Sequence, residues 1–320
     1  MAATKSVTVL GGGVSGLTTA FYLAEKGYQV TIITKELAQN TVSGVAAAIW
    51  FPYEARPVVK VNSWSKTSYY KFLELSKVKD SGVSLIPFTI VELEDEEPFW
   101  LSSLPDDVDI KKEAKNIGDK KSIAYTMPFP LVETPIYLRY LQNEFARLGG
   151  KVIQKTISDL SELDMDRTII NCLGLDAKEL FGDSELYPIQ GQVLKLAPSS
   201  SIHGLSIEFP LDEYLDELVY MIPRTDCIVI GGSAKANVSS TSPDEKLTQR
   251  ILNRATKLVP ELKNLELMLS VVGLRPGRSS VRLEQDPNLP IIHNYGHGGA
   301  GYTVSWGCAE NVYELMSDLG

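Results

Sequence analysis

Val7-Thr-Val-Leu-Gly-Gly-Gly-Val-Ser-Gly-Leu-Thr-Thr-Ala20, running on through Phe21-Tyr-Leu-Ala-Glu-Lys-Gly27 to Val30-Thr-Ile-Ile-Thr-Lys-Glu36, decides the fold. Val7 to Leu10 is an apolar run of the kind a buried parallel strand requires. Gly11 makes the turn out of that strand, Gly13 lets the backbone approach a pyrophosphate, and Gly16 lets the next helix pack closely. The helix N-terminus then presents backbone N–H groups and a partial positive charge to phosphate. Leu17, Ala20, Phe21, Leu23 and Ala24 give that helix its inward face, and Gly27 ends it. Val30 to Ile33 reads as the second strand, and Glu36 falls 20 residues after Gly16, where an acidic side chain accepts from ribose hydroxyls. This is a dinucleotide-binding βαβ unit. By itself it leaves FAD and a nicotinamide cofactor open.

The opposite end carries a second informative segment, His293-Asn-Tyr-Gly-His-Gly-Gly-Ala-Gly-Tyr-Thr-Val-Ser-Trp-Gly-Cys308, a glycine-rich loop entering a helix pattern. Between the two, small residues dominate from Ser43 to Ala48, leaving room for a bulky ring system. Together these features suggest a flavoenzyme whose two ends meet around one cofactor.

Composition narrows the class. The chain has 320 residues, long for a single core, so two domains are expected. Its hydrophobic content of 44% is that of an ordinary globular protein, and no run of about 18 apolar residues predicts a membrane span. A formal charge of −9 argues against nucleic acid as a partner. Cys172, Cys227 and Cys308 have no paired spacing and read as buried free thiols. With three histidines and no ligand spacing, no metal site is expected. Met1 stands almost against the first strand and the chain closes on Ser-Asp-Leu-Gly, so neither a signal peptide nor a peroxisomal address is expected, and a cytoplasmic location follows.

Residues 60–78 read as an amphipathic helix, 82–125 as antiparallel strands with acidic loops, and 134–148 as a helix with Thr134 as N-cap and Pro135 in its first turn. Thr168 to Cys172 resumes the dinucleotide-side strands. The fold expected is α/β: a discontinuous Rossmann-like domain from 1–54, 134–185 and 264–320, and an inserted antiparallel-sheet substrate domain from 55–133 and 186–263.

Five segments carry a family resemblance over essentially the whole chain: Gly11 to Ala20, Val45 to Tyr53, Tyr220-Met-Ile-Pro-Arg224 with Gly231-Gly232, Leu274-Arg-Pro-Gly-Arg-Ser-Ser-Val-Arg-Leu-Glu284, and His293 to Ala309. They resemble the D-amino acid oxidase family of FAD enzymes, which includes D-aspartate oxidase. The resemblance implies that Arg275 grips a substrate carboxylate and that the Tyr220 hydroxyl meets it. It also implies that Tyr53 stands near the substrate side chain and that the Gly299 carbonyl accepts from the amine. Gly298, Ala300, Gly301, Tyr302 and Thr303 would surround the flavin ring, with Ala47, Ala48 and Ile49 along it. Lys35, Glu36 and Ile157 would meet the adenosine end, and Gly11, Gly13, Val14, Ser15, Gly16, Thr41 and Ser43 complete the implied cofactor contacts.

A planar carboxylate suits an arginine fork better than a lysine. The implied chemistry is direct hydride transfer from a neutral amine, needing positioning and exclusion of water more than acid–base help. The implied activity is oxidative deamination of mostly neutral D-amino acids with oxygen as acceptor, giving imino and 2-oxo acids, ammonia and hydrogen peroxide. D-aspartate oxidase, a glycine- or sarcosine-type oxidase and a D-amino acid dehydrogenase stay open as alternatives, and oligomeric state is open too, a homodimer included. One departure stands out. Where some members carry a second active-site tyrosine four residues before Tyr220, this chain has Asp216, in a short acidic loop whose Tyr214 is a candidate to reach in.

Cofactor attachment is directly testable. The purified protein is expected to be yellow, with FAD released into the supernatant on acid precipitation; colour retained in the pellet would mean a covalent link.

Overall fold

The computed structural model describes residues 6–95 and 97–317. The first five residues and the last three, on which the targeting readings partly rest, lie outside them. In chain order the strands are β1 (Ser6–Leu10), β2 (Gln29–Thr34), β3 (Val83–Leu93), β4 (Lys111–Ile117), β5 (Lys120–Val132), β6 (Lys151–Gln154), β7 (Thr168–Asn171), β8 (Tyr187–Leu196), β9 (Gly204–Ile207), β10 (Glu217–Pro223), β11 (Ile228–Ser233), β12 (Lys235–Ala236), β13 (Leu267–Gly277), β14 (Arg282–Gln285) and β15 (Ile291–Tyr295). The helices are α1 (Val14–Glu25), α2 (Val42–Val45), α3 (Val58–Leu75), α4 (Thr134–Arg147), α5 (Ala177–Leu180), α6 (Glu245–Leu258) and α7 (Gly301–Ser317).

Two sheets organise the molecule. The first runs β14-β15-β7-β1-β2-β6, with β15, β7, β1, β2 and β6 parallel and β14 antiparallel at the edge. Val7, Val9 and Leu10 are buried at its centre, as their apolar run requires. On one face α1 packs against α7, with the Phe21 and Trp306 rings edge-on at 5.8 Å. Outside them α3 crosses α7 so closely that a Cβ at Gly307 would stand 2.3 Å from the Trp64 backbone. The Ser68 hydroxyl accepts there from the backbone N–H groups of Trp306 and Gly307.

The second sheet runs β12-β8-β11-β10-β9-β3-β5-β4, with β13 also paired to β8. Its far side is closed by α6, whose Leu247, Ile251 and Ala255 join Leu194, Met221, Ile228 and Ile230 in a separate apolar cluster. The boundary expected at residue 264 falls before β13, yet β13 pairs with β8 along the substrate-side sheet. Leu267–Gly277, expected with the dinucleotide domain, is thus a strand of the other sheet. Helix α3, expected with the substrate domain, packs on both sides: on α7 through Ser68, and on the second sheet through Tyr69, whose hydroxyl donates to the Pro128 carbonyl of β5 at 2.9 Å. Thr134 is the first residue of α4 and Glu133 its N-cap; the Thr134 hydroxyl is drawn off to the Gly44 carbonyl and the buried Arg224.

The acidic loop before β10 is anchored by a buried ion cluster. Arg254 is bonded to Glu217 and, at 2.6 Å, to Asp212, while Arg250 reaches Glu217 at 2.7 Å. Tyr214 lies between the two guanidinium groups, at 4.6 and 5.2 Å from its ring centre. Burial alone would raise the Glu217 pKa, but the bonds from Arg250 and Arg254 outweigh it and hold the carboxyl below its ordinary range. Its stabilising contribution is therefore complete above about pH 4.3 and lost as pH falls through the lower folded-state value. Arg254→Ala should cost about 1–3 kcal/mol by removing one of the two arginines that hold the buried Glu217 carboxylate. Denaturant melts at pH 7 and pH 3.5 check this: the deficit should be large at pH 7 and smaller at pH 3.5.

Candidate active site

One cavity of about 660 Å³ runs between the two sheets. Its dinucleotide end is built by backbone. Gly11 holds a left-handed φ of +102°, and a Cβ there would meet the Cys172 carbonyl at 2.4 Å. A Cβ at Gly16 would meet the Gly11 carbonyl at 1.9 Å, so the third glycine is required by contact between helix and turn. The Ser43 hydroxyl accepts from Val14 N–H at 2.9 Å and closes the loop from the other side. Lys35 and Glu36 at the end of β2, with Thr41, complete this end of the lining.

The middle is lined by Ala46, Ala47, Ala48 and Ile49. Ala48 is held at φ +56°, a conformation costing a non-glycine residue roughly 1–3 kcal/mol. Val132 N–H donating to its carbonyl at 2.9 Å secures it. Thr303 clamps the next turn of chain: its hydroxyl accepts from Phe51 N–H at 3.0 Å and donates to the Phe51 carbonyl at 2.8 Å. Tyr302 donates to the Ser43 carbonyl at 2.8 Å. The glycine loop before α7 is tied to β13 by Gly298 N–H donating to the Pro276 carbonyl at 2.9 Å, and the Tyr53 ring lies against Gly299. Gly298, Gly299, Gly301 and Tyr302 line the cavity; Ala300 and Thr303 are buried behind that wall.

The far end is a sheet face. Strand alternation places Gly273 and Arg275 of β13, Gly191 and Val193 of β8, Leu218, Tyr220 and Ile222 of β10, and Ser206 of β9 along the cavity. Arg275 lies across β8, where a Cβ at Gly191 would fall 2.5 Å from its guanidinium, and Nη1 donates to the Ser233 carbonyl of β11 at 2.9 Å. Tyr220 comes from the other side across β11, where a Cβ at Gly231 would fall 1.9 Å from its ring. The two side chains thus converge over β11, near enough for the guanidinium charge to act on the tyrosine. Burial raises the pKa of Tyr220, against an opposing pull from Arg275, and burial likewise raises Tyr53. Both hydroxyls are therefore donors at neutral pH. His297 lines the cavity with its pKa lowered to about 4 by burial, so its ring is neutral and bonds Asn294.

All the residues expected at the site line this cavity except four. Gly16 packs on Gly11, Ala300 and Thr303 stand behind the wall, and Ile157 packs on the outer face of the first sheet with Leu10 and Ile169. Tyr214 is held by Arg250 and Arg254, away from the lining. Of the other arginines in the 275–282 segment, Arg278 pairs with Asp183 and Glu185, and Arg282 with Glu284 and the Tyr295 hydroxyl. All three cysteines are free and buried; Cys172 lines the cavity with its thiol pushed up to about 12 by burial, and burial raises the Cys308 thiol as well. Sequence reasoning missed Glu208 and Ser206, whose signal was the alternation of a short strand, and Gly191, which carried no motif of its own.

A glycine turn at the start of α1 and an arginine–tyrosine pair thus stand at the two ends of one cavity, the arrangement of a nucleotide-binding fold with a second, polar pocket. The family model described as FAD dependent oxidoreductase matches residues 6–315. The chain is 35% identical over 318 residues to a D-amino-acid oxidase of Streptomyces coelicolor, covering 97% of this chain and 96% of that protein. It is 37% identical over 316 residues to a D-amino-acid oxidase of Rubrobacter xylanophilus, covering 96% and 94%. Glycine oxidase from Geobacillus kaustophilus shares the fold, with a TM-score of 0.80 at 17% identity, covering 98% of this chain and 95% of that one. The chain belongs to the DAO family of FAD-dependent oxidoreductases, and FAD is its cofactor. The glycine cradle at 11–16 and the small-residue run at 46–48 fit that group.

The two floor glycines carry a prediction. Gly191→Ala and Gly231→Ala should each lower kcat/KM by about 10- to 100-fold by displacing Arg275 or Tyr220, since misplacement of about 1 Å costs on that order. FAD content, read at the flavin absorbance band, should stay near wild type.

Proposed function

We propose that the protein is a D-amino acid oxidase acting mostly on neutral side chains, and that the convergence of Arg275 and Tyr220 over β11 is the observation that carries this reading. The guanidinium fork and the tyrosine hydroxyl hold the α-carboxylate in one plane. The Gly299 carbonyl, with no side chain before it, accepts from the amine and so turns the α-carbon toward the alanine run and the glycine loop. Tyr53, resting on Gly299, closes one side. Phe51, Phe88, Leu218 and Ile222 supply the apolar lining that supports a preference for neutral side chains.

FAD, when bound, supplies the two-electron acceptor for the α-hydrogen and is returned to the oxidised state by oxygen with release of hydrogen peroxide. The chain's part is to orient substrate, to exclude water, and to bind the amine in its uncharged form, its proton passed to solvent before the pocket closes. The nearby tyrosines stay protonated, and His297 stays neutral and engaged with Asn294. The product imino acid then hydrolyses to the 2-oxo acid and ammonia. Three free buried thiols suit a reducing compartment such as the cytoplasm, and among the described residues no helix is long and apolar enough to cross a membrane.

Peroxide formed from D-alanine and not from L-alanine or sarcosine is the expected result, and substrate turnover without oxygen consumption would favour a dehydrogenase. Arg275→Ala should lower kcat/KM on D-alanine by about 30- to several-thousand-fold, as removal of one partner of a buried charge-assisted pair costs roughly 2–5 kcal/mol. Much of the loss should lie in KM, because the carboxylate is gripped in ground state and transition state alike. Arg275→Lys should recover only part. Near-normal efficiency, or loss of the flavin instead, would remove Arg275 from the substrate site.

A further inference from the structure

Beyond Tyr220 along the same sheet face lies a carboxyl group that the carboxylate grip does not use. Ser206 pairs across strands with Tyr220, and Ile207 with Val219, so Glu208 continues the cavity-facing side of β9 one step on, opposite Leu218. Its backbone N–H donates to the Val91 carbonyl at 3.0 Å, which keeps the chain in register with β3 past the end of β9. Its side chain accepts from the Ser206 hydroxyl. The face therefore reads, strand by strand, Arg275 over β8, Tyr220 over β11, and then Glu208 on the side of Tyr220 away from Arg275. A substrate whose carboxylate lies on Arg275 and Tyr220 has that region as the direction for its side chain.

The charges there are of one sign. Among the described residues, Arg275 is the one Lys or Arg lining this end of the cavity, and the other charged lining groups on this sheet face are Glu208 and, at the mouth, Asp216. Arg224 is engaged with Asp226 and Thr134, Arg250 and Arg254 with Glu217 and Asp212, and the exposed Arg56 is not among the cavity-lining residues. An acidic side chain would meet carboxylates with no second cation to receive it.

We propose that Glu208 is a specificity-determining residue, selecting among D-amino acids with polar side chains for those ending in a cation or hydrogen-bond donor and against those ending in a carboxylate. This rests on the oxidase reading above and assigns the side-chain end of the same pocket. The groups facing Glu208 are Ser206 on its own strand, Glu92 on β3, Glu54 in the loop before α3, and Tyr53 and Tyr220 across the cavity. Burial, reinforced by Glu92 and Glu54 against the Ser206 bond, lifts its pKa to about 7. The discrimination should therefore sharpen as pH rises through neutrality and Glu208 becomes an anion.

The test is the ratio of kcat/KM for D-arginine to that for D-glutamate, measured by peroxide release on the FAD-loaded enzyme, wild type and Glu208→Gln, from pH 6 to pH 8. Both substrates share the same α-amine chemistry, and their side-chain charges are constant over that range, so the ratio isolates the pocket. The wild-type ratio should exceed one and climb with pH. Glu208→Gln should lower it at least about tenfold at pH 8, the effect expected of a charge contact worth roughly 1.4 kcal/mol, and should make it flat with pH. Glu208→Asp, keeping the charge, should restore a ratio that climbs with pH. A ratio insensitive to both the substitution and pH overturns the assignment, as does a Glu208→Gln variant that loses D-alanine, D-arginine and D-glutamate turnover in equal proportion while keeping its flavin, since that outcome makes Glu208 a general base. If wild type releases peroxide from D-alanine but fails the ratio test, only this inference falls; if it oxidises no D-amino acid, the oxidase reading falls.

Discussion

Two side chains lying flat over two strands set the geometry on which the rest of the site depends. A guanidinium and a phenol cannot cross a sheet face unless the strands beneath are bare, and Gly191 and Gly231 make them so. Ordinary strand residues would lift both groups by the height of a side chain and part them. Glycine inside a strand costs conformational entropy and packing. That cost is met here by a wide sheet, with α6 and its apolar cluster closing the opposite side. The Ser233 carbonyl then receives one guanidinium hydrogen, leaving other donors of the fork to face the cavity.

The dinucleotide half was legible because its chemistry is local. A strand, a glycine turn and a helix occupy consecutive residues, and two of the glycines stand where their contacts forbid a side chain: Gly11 against Cys172, Gly16 against Gly11. Arg275, Tyr220 and Gly299 were legible only through resemblance, because three separate segments supply them. What stayed hidden was set by pairing between distant strands. Nothing near Gly191 says that residue 275 will lie over it, and β13 was assigned to the wrong sheet because an apolar strand reads alike in either. Glu208 was passed over because a glutamate two residues past a serine in a four-residue strand reads as loop until the register of β9 with β3 and β10 is known.

The same logic accounts for Thr303 and Ala300. Both were expected against the flavin because they sit in the glycine-rich run, yet helical geometry turns successive residues of α7 in different directions. Gly301 and Tyr302 face the cavity while Thr303 faces the chain behind it, where it holds Phe51 by both backbone groups. Its contribution is to the wall, and through Phe51 to the apolar lining.

The order of strands in the first sheet has a consequence for how the chain comes into being. Its middle is β15-β7-β1, three neighbours drawn from residues 291–295, 168–171 and 6–10. During synthesis from the N-terminus, β1 has no partner on one side until β7 emerges, and β7 waits for β15 until residues 291–295 have been made. Over that interval the βαβ unit lacks α7, and Phe21 lacks the Trp306 ring it packs against. The nascent protein therefore carries an incomplete nucleotide cleft with apolar surface open to water until its last strand is in place.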